Sequence, residues 1–211
     1  MLLFYITDRT QFPGDENTRR STLLAKIAQA TRCGVDFIQL REKDLSSREL
    51  ETLTRAALRV VGENSREPVS RLLINSRSDL AIACGADGVH LRSDDISPLE
   101  VRKIWAQAEP SARALISVSC HSAAEVARAA CAGADFAVFA PVFGKKDVAQ
   151  TCAAGLDALR EACRHKIRVF ALGGITLNNA RACLDAGAAG IAAIRLFQEN
   201  DIAEVARHLR G

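Results

Sequence analysis

Short, almost continuously apolar runs alternate along this chain with longer stretches whose apolar residues recur every three or four positions. The runs cover residues 2–7, 36–40, 71–75, 88–91, 115–119, 136–142, 168–172 and 190–194. Unbroken, β-branched segments of this kind are expected of strands buried on both faces. The intervening stretches, such as Leu23-Leu-Ala-Lys-Ile-Ala-Gln-Ala30 and Ser122-Ala-Ala-Glu-Val-Ala-Arg-Ala-Ala130, carry helical periodicity, as do Asn178-Asn-Ala-Arg-Ala-Cys-Leu184 and residues 202–209. Eight strands, each followed by a helix, predict a parallel sheet with helical crossovers. The polar stretch 9–20 reads as the first loop.

A repeat decides between an open and a closed sheet. Cys33-Gly-Val-Asp36, Cys84-Gly-Ala-Asp87, Ala132-Gly-Ala-Asp135 and Ala186-Gly-Ala-Ala189 stand just before the second, fourth, sixth and eighth runs. A glycine at the end of a helix supplies the left-handed cap that turns the chain back into a strand. Four copies, each spanning two β/α units, predict a closed α/β fold: a single (β/α)8 TIM barrel, one domain over residues 1–211.

Composition adds boundaries. The net charge of +3, from 28 Lys+Arg against 25 Asp+Glu, gives no argument for nucleic acid or an anionic membrane as a partner. No apolar run approaches the ~20 residues of a membrane span. The start lacks the basic region of a signal peptide, so a cytoplasmic location is expected. Seven scattered cysteines form no CxxC pair, which argues against a disulfide framework or zinc site.

In such barrels the chemistry sits at the C-terminal ends of the strands. There the second strand presents Gln39, Arg41 and Lys43 on one face, suited to a phosphate or diphosphate. A salt-bridge cluster with Glu42 and Asp44 is the alternative. Asn75 faces the mouth from the third strand, with Ser76 either beside it or capping the next helix. His90 lies within the fourth strand and is expected buried and hydrogen-bonded. Asp94 and Asp95 suit Mg²⁺ or a helix cap. Ser119 and His121 share a face at the end of the fifth strand, and His121 can move protons near neutral pH. Residues 144–155 read as a basic lid or a plain surface loop. Gly173 and Gly174 precede a helix and offer backbone N–H groups to an anion. Arg195, after the eighth strand, either adds charge there or pairs with Glu199 or Asp201.

Taken together and in register, these motifs resemble the thiamine-phosphate synthase/TenI superfamily. The resemblance rests on Tyr5-Ile-Thr-Asp8, Phe37-Ile-Gln-Leu-Arg-Glu-Lys43, Leu73-Ile-Asn75, Gly85-Ala-Asp-Gly-Val-His-Leu91 and Val118-Ser-Cys-His121. It continues through Pro141-Val-Phe143, Ala171-Leu-Gly-Gly-Ile-Thr176 and Asp185-Ala-Gly-Ala-Ala-Gly-Ile191. It implies an enzyme of thiamine biosynthesis acting on phosphorylated pyrimidine and thiazole substrates, with a homodimer compatible with it. The synthase branch joins hydroxymethylpyrimidine diphosphate to thiazole phosphate, releasing diphosphate. The TenI branch tautomerises a thiazole carboxylate phosphate, and a binder without catalysis is the third alternative.

Carried over by the resemblance, Gln39, Arg41, Lys43 and Ser119 would hold the diphosphate. Asn75 would contact pyrimidine and diphosphate, Asp95 would bind Mg²⁺, and Gly174 would donate to the thiazole phosphate. His121 matches a histidine of both branches, and Lys43 is the second catalytic candidate. The chain also departs from the pattern. The second Mg²⁺-binding carboxylate, expected after Asn75, is Ser76. The usual Gly-Gln after Val-His-Leu is Arg92-Ser93. The threonine-rich lid is Gly144-Lys-Lys-Asp-Val148, and a serine after the eighth strand is Arg195. Mg²⁺ is therefore expected to bind weakly.

Overall fold

Eight parallel strands close into a barrel in chain order, β1 pairing with β8 as well as with β2. They are β1 Leu2–Ile6, β2 Phe37–Leu40, β3 Arg71–Asn75, β4 Gly88–Leu91, β5 Leu115–Cys120, β6 Phe136–Phe139, β7 Arg168–Ala171 and β8 Gly190–Ala193. The outer ring holds α1 Glu16–Arg32, α2 Ser47–Asn64, α3 Ser78–Cys84, α4 Pro98–Ala108 and α5 Ala123–Cys131. It continues with α6 Gly155–Ala162, α7 Ala180–Asp185, the short α8 Arg195–Gln198 and α9 Ile202–Arg210. The computed structural model describes residues 1–65, 69–109, 111–144 and 153–211.

Two apolar layers follow from strand alternation. Outward residues such as Ile38, Ile74, Val89 and Ile191 pack under the helices. Inward residues fill the barrel, where Phe4, Phe37, Phe136 and Phe170 form an aromatic plug with ring centroids 4.8–5.9 Å apart. This plug closes the lower half, so the upper inward positions (Gln39, Asn75, His90, Ser117, Ser119) form the floor of the mouth.

The four-fold repeat has a second function beyond its glycine turn. The carboxylate of Asp36 accepts the Leu3 N–H, Asp87 that of Leu72, and Asp135 that of Ile116, each at 2.8 Å. Each acid thus satisfies a donor at the start of the preceding strand, and an arginine braces it: Arg210, Arg71 and Arg102 respectively.

Two expectations change. The polar stretch 9–20 is not all loop: Arg9–Gln11 form a 3₁₀ turn, and α1 already begins at Glu16. The Asp15 side chain accepts from the Thr18 N–H and caps that helix, so the polar residues are its solvent-facing first turns. The sixth strand ends at Phe139 rather than 142, because Pro141 has no N–H for the ladder. Pairing resumes beyond it, with the Val142 and Phe143 N–H groups donating to Leu172 and Gly173.

Candidate active site at the barrel mouth

A continuous polar arc crosses the mouth from β2 to β4. Gln39, 1% exposed, donates Nε2–H to Asn75 Oδ1 at 2.8 Å. Asn75 Nδ2 donates to Ser76 Oγ at 3.3 Å. The Ser76 hydroxyl lies beside Asp95 and favours its ionised form. Asp95 also accepts from the Arg92 backbone N–H at 2.8 Å and from its guanidinium Nε and Nη2 at 3.2 and 3.1 Å. Burial opposes ionisation of Asp95, but the Arg92 N–H, the Ser76 hydroxyl and the guanidinium outweigh it and hold the carboxyl below its usual range.

Ser76 does not cap the following helix. It adopts a left-handed backbone, φ 58°, donates its N–H to the His90 carbonyl, and leaves Arg77 as the cap. The Asp94–Asp95 pair does not cap α4 either; Ser97 does, accepting from the Glu100 N–H.

His90 is buried as expected, between Ser117 Oγ at 2.7 Å and Ser119 Oγ at 2.8 Å. Burial and, secondarily, the charge of Arg41 push its pKa down to about 4. It is therefore neutral in the fold at pH 7, whereas the unfolded imidazole titrates near 6.5. A group with a depressed folded pKa binds protons preferentially when unfolded, so stability falls as pH drops below 6.5 toward 4. At ~1.4 kcal/mol per pKa unit, the expected loss is about 2 kcal/mol between pH 7 and pH 5. Urea denaturation across that range should show it, and His90→Gln should flatten the dependence.

The second strand delivers its chemistry through one arginine that sequence reasoning missed. Arg9, 2% exposed, ion-pairs Glu42 at 3.1 Å, Asp44 at 2.7 Å and Glu16 at 2.9 Å. Its backbone N–H also donates to Glu42, as does the Thr7 hydroxyl. Burial pushes the Glu42 carboxyl up, with Thr7 and Arg9 pulling the other way. The acids between and beyond the two cations are thus committed to Arg9. Among the described residues Arg41 makes no ion pair; it is half-buried, while Lys43 is exposed.

The other candidates lie on the opposite side of the mouth. His121 is exposed, and its Nδ1–H donates to the Ala140 carbonyl at 2.7 Å, which directs Nε2 away from that bond. Ser122 caps α5, accepting from the Glu125 N–H. The neighbouring Cys120 is buried, which pushes its thiol up to about 12 and leaves no thiolate for a Cys–His pair.

Gly173 and Gly174 have φ of 100° and 61°. A Cβ on Gly174 would stand 2.8 Å from both the Gly144 carbonyl oxygen and Phe143 Cβ. Among the described residues neither glycine N–H has a hydrogen-bond acceptor. Arg195 opens α8 rather than extending the strand, and is exposed. Apart from its ends, the expected lid at 144–155 lies outside the described residues.

A sequence model described as thiamine monophosphate synthase matches residues 3–197. The chain belongs to the thiamine monophosphate synthase family. It is 40% identical over 210 residues to a putative thiamine-phosphate synthase of Geobacter sulfurreducens, covering 98% of this chain and 92% of that protein. A thiamine-phosphate synthase of Methanoculleus marisnigri is 38% identical over 213 residues, covering 99% and 93%. The solved thiamine phosphate pyrophosphorylase of Pyrococcus furiosus superposes with a TM-score of 0.80 at 28% identity, covering 99% and 93%.

The residues at the mouth do not fit the paired carboxylates that resemblance to this family implies for Mg²⁺. Asp95 stands with a hydroxyl, Ser76, and its oxygens are taken by Arg92. Among the described residues no group of three or more His, Cys, Asp or Glu is placed to hold a metal ion. Nor is any described helix long and apolar enough to cross a membrane. A cavity of about 210 Å³ lies between the ends of β4 and β5 and helices α4 and α5, walled in part by Arg92, Asp95, Val118, Cys120, Pro98 and Ala129. A larger one, about 500 Å³, lies at the opposite end between Arg71, Trp105 and Arg113, with no candidate residue on its wall.

Proposed function

We propose that this protein is a thiamine-phosphate synthase, a transferase that joins hydroxymethylpyrimidine diphosphate to thiazole phosphate. The observation that carries the reading is the Gln39 side chain. Its Oε1 is buried inside the barrel with no hydrogen-bond partner among the described residues, on the strand that leads to Arg41 and Lys43. A buried orphan acceptor costs ~1–3 kcal/mol unless a ligand donates to it. An aminopyrimidine has such a donor, and its diphosphate then lies at the level of the two cations. In this reading Gln39 serves the ring, while Arg41, Lys43 and Ser119 serve the diphosphate and Asn75 both. Gly173 and Gly174, with Arg195, hold the thiazole phosphate.

The reaction needs no base. The bond between the methylene carbon and the diphosphate oxygen breaks, and the electron pair leaves with the diphosphate. The thiazole ring nitrogen then gives its lone pair to the methylene carbon, and the positive charge passes to the thiazolium product. The protein's task is to stabilise the departing anion with preorganised cations and N–H donors.

Both substrates incubated with the purified protein should yield thiamine phosphate and diphosphate, followed by mass spectrometry. Turnover of thiazole carboxylate phosphate alone would instead establish a tautomerase, with His121 as the proton carrier. Binding without any turnover would establish a non-catalytic binder.

A further inference from the structure

The arc that starts at Gln39 ends on a cation. Asn75 donates to Ser76, whose hydroxyl lies beside Asp95, and Asp95 clasps the Arg92 guanidinium. We infer that Arg92 is a built-in cation for the diphosphate, standing in for a divalent metal ion. The inference rests on the synthase reading above.

Charge supports it. Two carboxylates with a bound divalent cation sum to zero. Here one carboxylate has become Ser76 and one guanidinium has been added at Arg92, so Asp95 with Arg92 also sums to zero. The net positive charge that Arg41 and Lys43 present to the diphosphate is then the same in either arrangement. Asp94, exposed and 3.5 Å from Arg92 Nε, is present in either arrangement, and an exposed pair of this kind is worth only ~0–1 kcal/mol.

Geometry supports it as well. Arg92 commits Nε and one N–H of Nη2 to Asp95. Among the described residues its remaining three N–H groups have no acceptor, and a planar fork of that kind matches phosphate oxygens. A metal, by contrast, would have to displace the guanidinium from Asp95.

Titration calorimetry with inorganic pyrophosphate in EDTA tests this directly. The wild-type protein should bind without metal, and Arg92→Gln should weaken binding by about 10- to 100-fold, the usual range for a charged hydrogen-bonding partner. The double variant Arg92→Gly with Ser76→Asp should bind pyrophosphate tightly only when Mg²⁺ is supplied. Pyrophosphate binding that requires Mg²⁺ in the wild type, or that is unchanged in Arg92→Gln, would overturn the inference. Turnover assays of the same samples judge the synthase reading separately. Product formed only with Mg²⁺ sinks the inference and keeps the enzyme. Metal-free pyrophosphate binding lost in Arg92→Gln, with no product under any condition, keeps the Arg92 site and sinks the enzyme.

Discussion

Arg9→Met should destabilise the fold by about 3–5 kcal/mol, the cost of leaving a buried charge without its partner. Arg9 and Glu42 are 3% and 1% exposed at their side chains, so neither can turn to water. Without the guanidinium, Glu42 keeps only the Thr7 hydroxyl and a backbone N–H, and its carboxyl, already pushed up by burial, rises further. A carboxyl whose folded pKa lies above its unfolded value favours folding at low pH, and that contribution is lost as pH rises through the folded pKa. The deficit of Arg9→Met relative to wild type should therefore shrink as pH falls from 8 to 5. The loss from His90 is common to both proteins and cancels in the difference. Adding Glu42→Leu should recover much of the stability, because replacing a buried pair by apolar groups is often neutral or better. Urea denaturation of the two variants and the wild type decides it; a deficit that is constant with pH would show that Glu42 does not carry the effect.

The barrel was legible because its signals are local. Strand runs, helical periodicity and the repeated helix-ending glycines each sit within a few residues of one another, and eight strands were placed to within about three residues at their ends. Gln39, Asn75 and Ser119 were read at the barrel mouth, and His90 was expected buried and hydrogen-bonded, as it is between Ser117 and Ser119. The features that escaped depend on distant partners. Nothing near Arg9 in the sequence announces that it neutralises Glu42 and Asp44, residues 33 and 35 positions away. The acids of the Gly-x-Asp repeat read as turn residues, yet each ties down the start of the preceding strand. Ser76 and Arg92 stood out only as departures from a pattern; their connection through Asp95 needs β3 and β4 side by side.

The same division of acids makes Arg41 the most consequential cation of the mouth. Arg9 holds Glu42 and Asp44 on the outer side of the chain, so neither neutralises Arg41. The charge of Arg41 is felt at the buried His90, where it helps to hold the imidazole neutral. Arg41→Met keeps the length of the aliphatic stem and removes only the charge and its N–H donors. Loss of one preorganised contact to a developing anion typically costs about 10²–10³ in kcat, and that is the expected fall in thiamine phosphate formation. Arg41→Lys should recover part of it, since a point charge restores attraction but not bidentate geometry. A second readout separates this role from mere disruption of the fold. Burial is the larger cause of the low His90 pKa and is untouched by the substitution, but the repulsion from Arg41 disappears. The imidazole resonances of His90, followed by NMR, should therefore titrate at a higher pH in Arg41→Met than in the wild type, while remaining below 6.5. A large loss of activity with an unmoved His90 titration would place the guanidinium outside the mouth and remove it from the diphosphate site.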